Sequence, residues 1–348
     1  MNGRVTAHAP GRVNLIGDHT DYCGGLALPC AIDLGITIDG VVDERIVLRS
    51  SLDDGVVSLD RPVDLDGGAG ALPADLPADL PIWGRYVAAV AALLPSAHGL
   101  SGRIESDLPA GAGLSSSAAL EIAVALALGF DGAPMDLARL GQRAEHLATG
   151  TPTGLLDQIA ITHAVAGHAT CIDFTTLAVE PVAVPADLDI VVVHSGQERT
   201  VAASAYAERV DACTRAAALV GSLPFASVDD IEGLDDPVLR RRARHVGSET
   251  ARVRAAVEAL RIGDFLTLGA VMTESHASLR DDFEVSTPVL DALVERLLRV
   301  DGVHGARLTG AGFGGCVVAV CDEGAIVDPT AFTGRGWIVQ PTGAAQRT

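Results

Sequence analysis

Lysine is absent from this chain, so all 25 of its lysine-or-arginine positions are arginine. A nucleotide loop of the Gly-x-x-x-x-Gly-Lys-Ser/Thr kind needs its lysine on the outer phosphates, and a protein kinase needs one on its third strand; both are excluded. Positive charge as a whole is scarce. The formal net charge of −20 opposes the field that a protein tracking nucleic-acid phosphates or an anionic membrane surface would need. The six cysteines, Cys23, Cys30, Cys171, Cys213, Cys316 and Cys321, form no Cys-x-x-Cys pair. Zinc and a disulfide framework are poor readings, and reduced thiols in a cytoplasm are the expected state. No basic start leads into an apolar core at the N-terminus, and the apolar runs are too short or too interrupted to span a bilayer. Aromatics make up only 3% of the chain.

What is present is apolar and glycine-rich. With 348 residues, 48% of them hydrophobic, and 38 glycines, the chain suits a soluble α/β or α+β protein of two lobes. Strand patterns are read at 5–9, where Pro10-Gly11 breaks the run, and at 26–28, 34–42, 102–108, 171–174, 179–184 and 190–193. A hairpin is expected around Asp53-Asp54-Gly55, and 61–81 reads as a long surface connection. Helices are expected at 83–94, 118–128 and 136–148. The texture changes near Pro185. Beyond it the chain is mostly helical, at 202–220, 236–245, 249–260 and 262–278, with Thr287-Pro288 starting another helix. Two apolar strands, 305–308 and 316–321, flank a second glycine-rich loop, and the tail after Gln340 reads as frayed.

The stretch 109–121, Pro-Ala-Gly-Ala-Gly-Leu-Ser-Ser-Ser-Ala-Ala-Leu-Glu, has the layout of an anion site. Gly111 and Gly113 let backbone approach a ligand, and the first amides of the following helix have no partner of their own. Together with the helix dipole they favour phosphate, and Ser115, Ser116 and Ser117 can add donors or hold a magnesium ion. An ordinary Gly-Ser turn capping a core helix would look the same. If a nucleotide binds here, the positive charge must come from Mg²⁺, arginine and the helix end.

A second polar cluster lies between apolar strands: Arg12, Asp18, His19 and Asp21, with Tyr22 and Cys23 following. Carboxylates accept from two sugar hydroxyls at once and histidine can donate to another, so this loop has the groups to grip a polyhydroxylated ligand; a solvated loop is the alternative. Asp157, flanked by Leu156 and Ile159, reads either as a helix-start cap or as a desolvated base. Trp83 and Tyr86 fit core or boundary positions better than base stacking.

Three stretches, 10–25, 108–121 and 308–316, resemble in order and spacing the motifs of the galactokinase, homoserine kinase, mevalonate kinase and phosphomevalonate kinase superfamily, and the first resembles its galactokinase branch. Further similar text includes Glu145-His146, Gly154-Leu155-Leu156-Asp157-Gln158, Ser204-Ala205-Tyr206 and 274–283. The resemblance implies an α+β fold with an N-terminal α/β lobe, 1–185, a ferredoxin-like C-terminal lobe, 186–348, and an active site in the cleft. It implies transfer of the ATP γ-phosphoryl group to the anomeric hydroxyl of a sugar, galactose first. Arg12 and Asp157 are implied at the reacting hydroxyl. Asp18, His19, Asp21 and Tyr206 are implied on the sugar, and 111–117 on the phosphates. Ser116 and Glu145 are implied as magnesium ligands, and Trp83 near the adenine. The chain departs from the family at Asp18, usually glutamate, and at Cys23, usually asparagine. N-acetylgalactosamine or another C4-axial sugar therefore stays open as substrate, as does a sugar-sensing regulator without catalysis. Sugar and ATP are the expected partners of a monomer or dimer, with no nucleic acid and no membrane.

Overall fold

The computed structural model describes residues 3–51, 55–60, 80–94, 98–109, 111–151, 153–197 and 202–348. The tip of the expected hairpin at Asp53-Asp54 and nearly all of the connection 61–81 lie outside the described residues.

The first sheet is built on two long strands, β1 (Arg4–Ile16) and β2 (Leu26–Asp43), paired antiparallel along most of their length. β3 (Ile46–Ser50) and β4 (Val56–Leu59) form a hairpin. After α1 (Ile82–Leu93), β5 (Gly99–Ser106) pairs with both β2 and β3. Three helices follow, α2 (Ser116–Ala127), α3 (Pro134–Thr149) and α4 (Leu156–Thr162), and then the hairpin of β6 (His168–Asp173) and β7 (Ala178–Ala183), which joins the start of β2. Helix α2 is apolar on nearly every face because it lies in the middle of this layer, packed on β1, β2, α1, α3 and α4.

A second sheet begins at β8 (Leu188–His194). Five helices lead from it: α5 (Ala202–Val220), α6 (Val228–Glu232), α7 (Pro237–Ile262), α8 (Phe265–Asp281) and α9 (Pro288–Leu297). β9 (Val303–Thr309) and β10 (Cys316–Asp322) then form a hairpin, and α10 (Thr330–Thr333) precedes β11 (Gly336–Val339). The spatial order β11-β8-β10-β9, all antiparallel, is the fourth-first-third-second order of a ferredoxin-like sheet. Thr287 caps α9 as expected, its hydroxyl accepting from the Leu290 amide at 3.3 Å, and Asp236 caps α7 in the same way.

Three expectations fail for identifiable reasons. Pro10-Gly11 does not end β1, because the strand shifts register there and a bulge accommodates the missing amide donor. The segments 236–245 and 249–260 form one helix, α7. Ser248 stays helical by returning its hydroxyl to the Arg244 and His245 carbonyls at 2.7 and 3.1 Å. The tail is not frayed. After β11 the chain crosses back to the first sheet, where β12 (Gln346–Arg347) pairs with β1, and the Ala345 amide donates to the Ile161 carbonyl of α4 at 3.0 Å.

Candidate active site

The three motif loops meet where the two sheets approach each other. Arg12, buried on β1, reaches Asp157 in the first turn of α4. Its Nε and Nη2 donate to the two carboxylate oxygens at 2.7 and 2.6 Å. Nη1 donates to the Gly113 carbonyl at 2.8 Å, so one guanidinium ties the carboxylate to the glycine-serine loop. The Ser115 hydroxyl donates to the same carboxylate. Asp157 thus does not cap its helix, since its side chain is turned toward arginine and serine; the residue before the helix is Leu155.

The glycine-serine loop is left-handed at both glycines and open to solvent space at the first. Gly111 and Gly113 have φ of +68° and +79°, and a Cβ at Gly111 would meet nothing within 4 Å. Ser115 takes a left-handed conformation immediately before α2, leaving Ser116 and Ser117 as the first helical residues with their amides at its start. The structure brings Ser117, rather than Ser116, to Glu145: the Ser117 hydroxyl donates to Oε1 at 3.0 Å. The other Glu145 oxygen accepts from the Thr153 hydroxyl at 2.8 Å and from the Gln158 amide at 3.0 Å.

A pocket of about 300 Å³ opens beside Asp157 and is lined by Arg12, Asp18, His19, Asp21, Glu145 and Tyr206, among others. That size lies at the low end of small-molecule sites. Asp18 is 4% exposed. One of its oxygens accepts from Arg307 Nη2 at 2.5 Å and the other from the Gly310 amide at 3.1 Å. Burial pushes its carboxyl upward, and the Arg307 guanidinium opposes that shift. His19 has φ +64° and is held by Tyr22 Oη at 3.0 Å and the Ala311 carbonyl at 3.2 Å. Its ring lies between those of Tyr206 and Phe283, with centroids 5.7 and 4.7 Å away. Burial first, and then the neighbouring His245, lowers its pKa to about 3, so this imidazole is neutral. Burial and the charge of Asp157 push Asp21 up to about 7. Gly154 makes room for that carboxylate, because a Cβ there would lie 1.5 Å from Asp21 Oδ2.

Of the residues singled out from sequence, Arg12, Asp157, Asp18, His19, Asp21, Tyr206 and Glu145 converge on this one pocket, and the glycine-serine loop borders it through Ser115. Trp83 does not join them. It is 6% exposed and packed in the main core from α1. Four polar residues were missed. Gln158 bridges Glu145 and the fully buried Glu121, whose carboxyl burial pushes well above its usual range. Thr153 holds Glu145, and Arg307 holds Asp18. Arg307 alone had a visible signal, a single charge inside an apolar strand.

Among the described residues no group of three His, Cys, Asp or Glu side chains is arranged to hold a metal ion. Glu145 nevertheless fits a cation shared with phosphate oxygens: it is half-buried, faces the pocket, and its hydrogen-bond partners are all neutral.

Two superfamily domains match this chain, the N-terminal domain of the GHMP kinases over residues 85–164 and their C-terminal domain over residues 256–328. The fold is that of the GHMP kinases. A mevalonate kinase of Methanococcus jannaschii shares it at a TM-score of 0.69 and 21% identity, over 99% of each chain. Residues 2–39 match the galactokinase galactose-binding signature. The galactokinase of Homo sapiens is 40% identical over 92% of this chain and 84% of its own length, and that of Roseiflexus sp. is 39% identical over 94% and 85%. The structure of Lactococcus lactis galactokinase complexed with galactose superposes at a TM-score of 0.88 with 31% identity, covering 99% of this chain and 95% of that one. The chain belongs to the galactokinase family, and it is an ATP-dependent kinase.

Proposed function

We propose that this enzyme transfers the γ-phosphoryl group of ATP to the anomeric hydroxyl of D-galactose, giving galactose 1-phosphate and ADP. The observation that carries the reading is the Asp157 carboxylate, clamped by Arg12 and Ser115 on the wall shared by the sugar-sized pocket and the phosphate loop. Asp157 accepts the proton of the sugar hydroxyl as its oxygen forms a bond to the γ-phosphorus and the bond to the ADP oxygen breaks. Arg12 holds the base in place and sets a fixed positive charge beside the transferring group, where a loose transition state gains most from charge and positioning. Asp21, Asp18, His19 and Tyr206 orient the sugar. The Gly111 to Ser117 backbone and hydroxyls receive the phosphates.

Glu145, with the Ser117 hydroxyl that donates to it and the adjoining Ser116 hydroxyl, would hold Mg²⁺. Bound there, the ion supplies the charge neutralisation at the outer phosphates that lysine gives other kinases. Six cysteines unpaired in the fold support a cytoplasmic setting.

The test is ADP release with free galactose, N-acetylgalactosamine, glucose, galacturonic acid and arabinose. Turnover mainly with galactose is expected. Turnover with another sugar alone would mean that Asp18 and Cys23 mark a changed specificity. Turnover with none would favour a sugar-binding regulator.

A further inference from the structure

Arg307 is fully buried, the largest side chain among the described residues to be so, and it is not among the residues lining the pocket. It stands on β9, in the second sheet, and reaches the loop that follows β1 in the first. Nη2 donates to Asp18 at 2.5 Å, and Nη1 donates to the Asn14 and Leu15 carbonyls at 3.2 and 3.1 Å. The other acid within reach, Glu249, is 3.9 Å away and already held by the Gly17 amide, the Ser275 hydroxyl and Arg252. Asp18 is therefore the carboxylate that Arg307 serves.

A buried ion pair is weak evidence for stability, because well-packed apolar groups of the same volume often do as well. Its consequence here is geometric and electrostatic. Asp18 faces the pocket, and each of its oxygens is fixed by one donor from the β9–β10 side, Arg307 and the Gly310 amide. A carboxylate has about four lone-pair sites, so roughly two stay free for sugar hydroxyls, in directions set by those two donors. Without the guanidinium, Asp18 would be a buried acid with only neutral partners, the Gly310 amide and the Asn14 side chain, and driven by burial toward its neutral form.

We infer that Arg307 is a positioning residue for the sugar: it fixes the orientation and charge of Asp18 across the cleft and so sets sugar affinity without touching the sugar. This rests on the reading that Asp18 contacts the sugar. It also assigns a task to the glycine-rich loop between β9 and β10, since Gly310 supplies the second donor.

The experiment is a double-mutant cycle on the full chain with Arg307→Met, Asp18→Asn and the pair, reading galactose affinity by calorimetry beside KM for galactose, KM for ATP and kcat. Arg307→Met is expected to weaken galactose binding about tenfold, the equivalent of about one charge-assisted hydrogen bond, with KM for ATP within about twofold. Arg307→Lys, which keeps the charge, should recover part of that loss. In the Asp18→Asn background, Arg307→Met should add less than about twofold, because the group it acts through is already neutral.

Multiplying effects of the two substitutions would overturn the inference, as would parallel rises in both KM values. If Arg307→Met does not fold, the Lys variant and the pair, which leaves no buried charge unpaired, still decide it. Unchanged galactose affinity in Asp18→Asn would overturn the role of Asp18 and the inference with it. Absence of galactose binding by the unmodified protein would instead be a failure of the proposed function.

Discussion

Asp157 has both oxygens committed to Arg12 and one also to Ser115, so Asp157→Asn changes charge and basicity while preserving shape. The expected result is a fall in kcat of about 10²–10⁴ with ATP affinity within about threefold, checked by single-turnover phosphoryl transfer and nucleotide titration. Retained turnover would remove Asp157 as the proton acceptor. At Asp21 the pocket itself sets a pH dependence. Burial and the neighbouring Asp157 raise its pKa to about 7, so the free enzyme holds a proton there below neutrality. Sugar hydroxyls donate to the ionised form, and galactose must then displace that proton. Galactose affinity should fall several-fold from about pH 8 to about pH 6 and be flat above. Calorimetry at both ends checks this, and Asp21→Asn should flatten the profile; an affinity that falls as pH rises through about 7 would show that the protonated acid is the binding form. Residue types alone marked both positions as polar groups in apolar context. The pairing of Arg12 with Asp157 across 145 positions was supplied by family resemblance, since spacing of that order carries no contact information.

At the scale of elements, each motif loop holds a non-glycine residue in the left-handed region: His19, Ser115 and Phe313, with φ of +64°, +60° and +60°. Such backbone persists only when its surroundings over-determine it, and here the ring contacts of His19 and the start of α2 do so. The third loop depends on Gly312, which has φ +78° and whose Cβ would lie 2.4 Å from the Val285 carbonyl. Gly312→Ala should therefore destabilise the protein by about 1–3 kcal/mol. It should also weaken galactose binding by moving the Gly310 amide off Asp18. Urea unfolding and calorimetry read the two effects separately, and a stability change without an affinity change would show that the loop is held elsewhere. Helix and strand periodicity located most of these elements. It missed the continuity of β1 and α7 because a bulge and a back-bonded serine hide the punctuation from any local reading.

For the whole molecule, the path after β11 joins the two sheets a second time. Pro341, Thr342, Ala345 and Thr348 exchange five backbone hydrogen bonds with Gly167, Ala31, Ile161 and Thr6, and β12 covers the free edge of β1. Removing 341–348 should lower stability by about 5 kcal/mol at the usual net value of about 1 kcal/mol per backbone hydrogen bond. The exposed β1 edge should also promote association. Urea unfolding and light scattering would check both, and an unchanged midpoint would show that the tail lies on the sheet without supporting it.

Local sequence determined the classes of chemistry that were possible. The missing lysine removed two kinds of phosphate site, the glycine-serine stretch before an apolar helix allowed an anion cradle, and the loop carrying Arg12, Asp18, His19 and Asp21 allowed a grip on a polyol. These are properties of neighbouring residues, and they survive any arrangement of the rest. Tertiary structure decided the partnerships: Ser117 rather than Ser116 at Glu145, Trp83 in the core, Gln158 between two carboxylates, and Arg307 behind Asp18. A buried charge is tolerated only where an opposite charge or a donor arrives from another element. That arrival is fixed by the packing of two sheets, which no stretch of sequence contains.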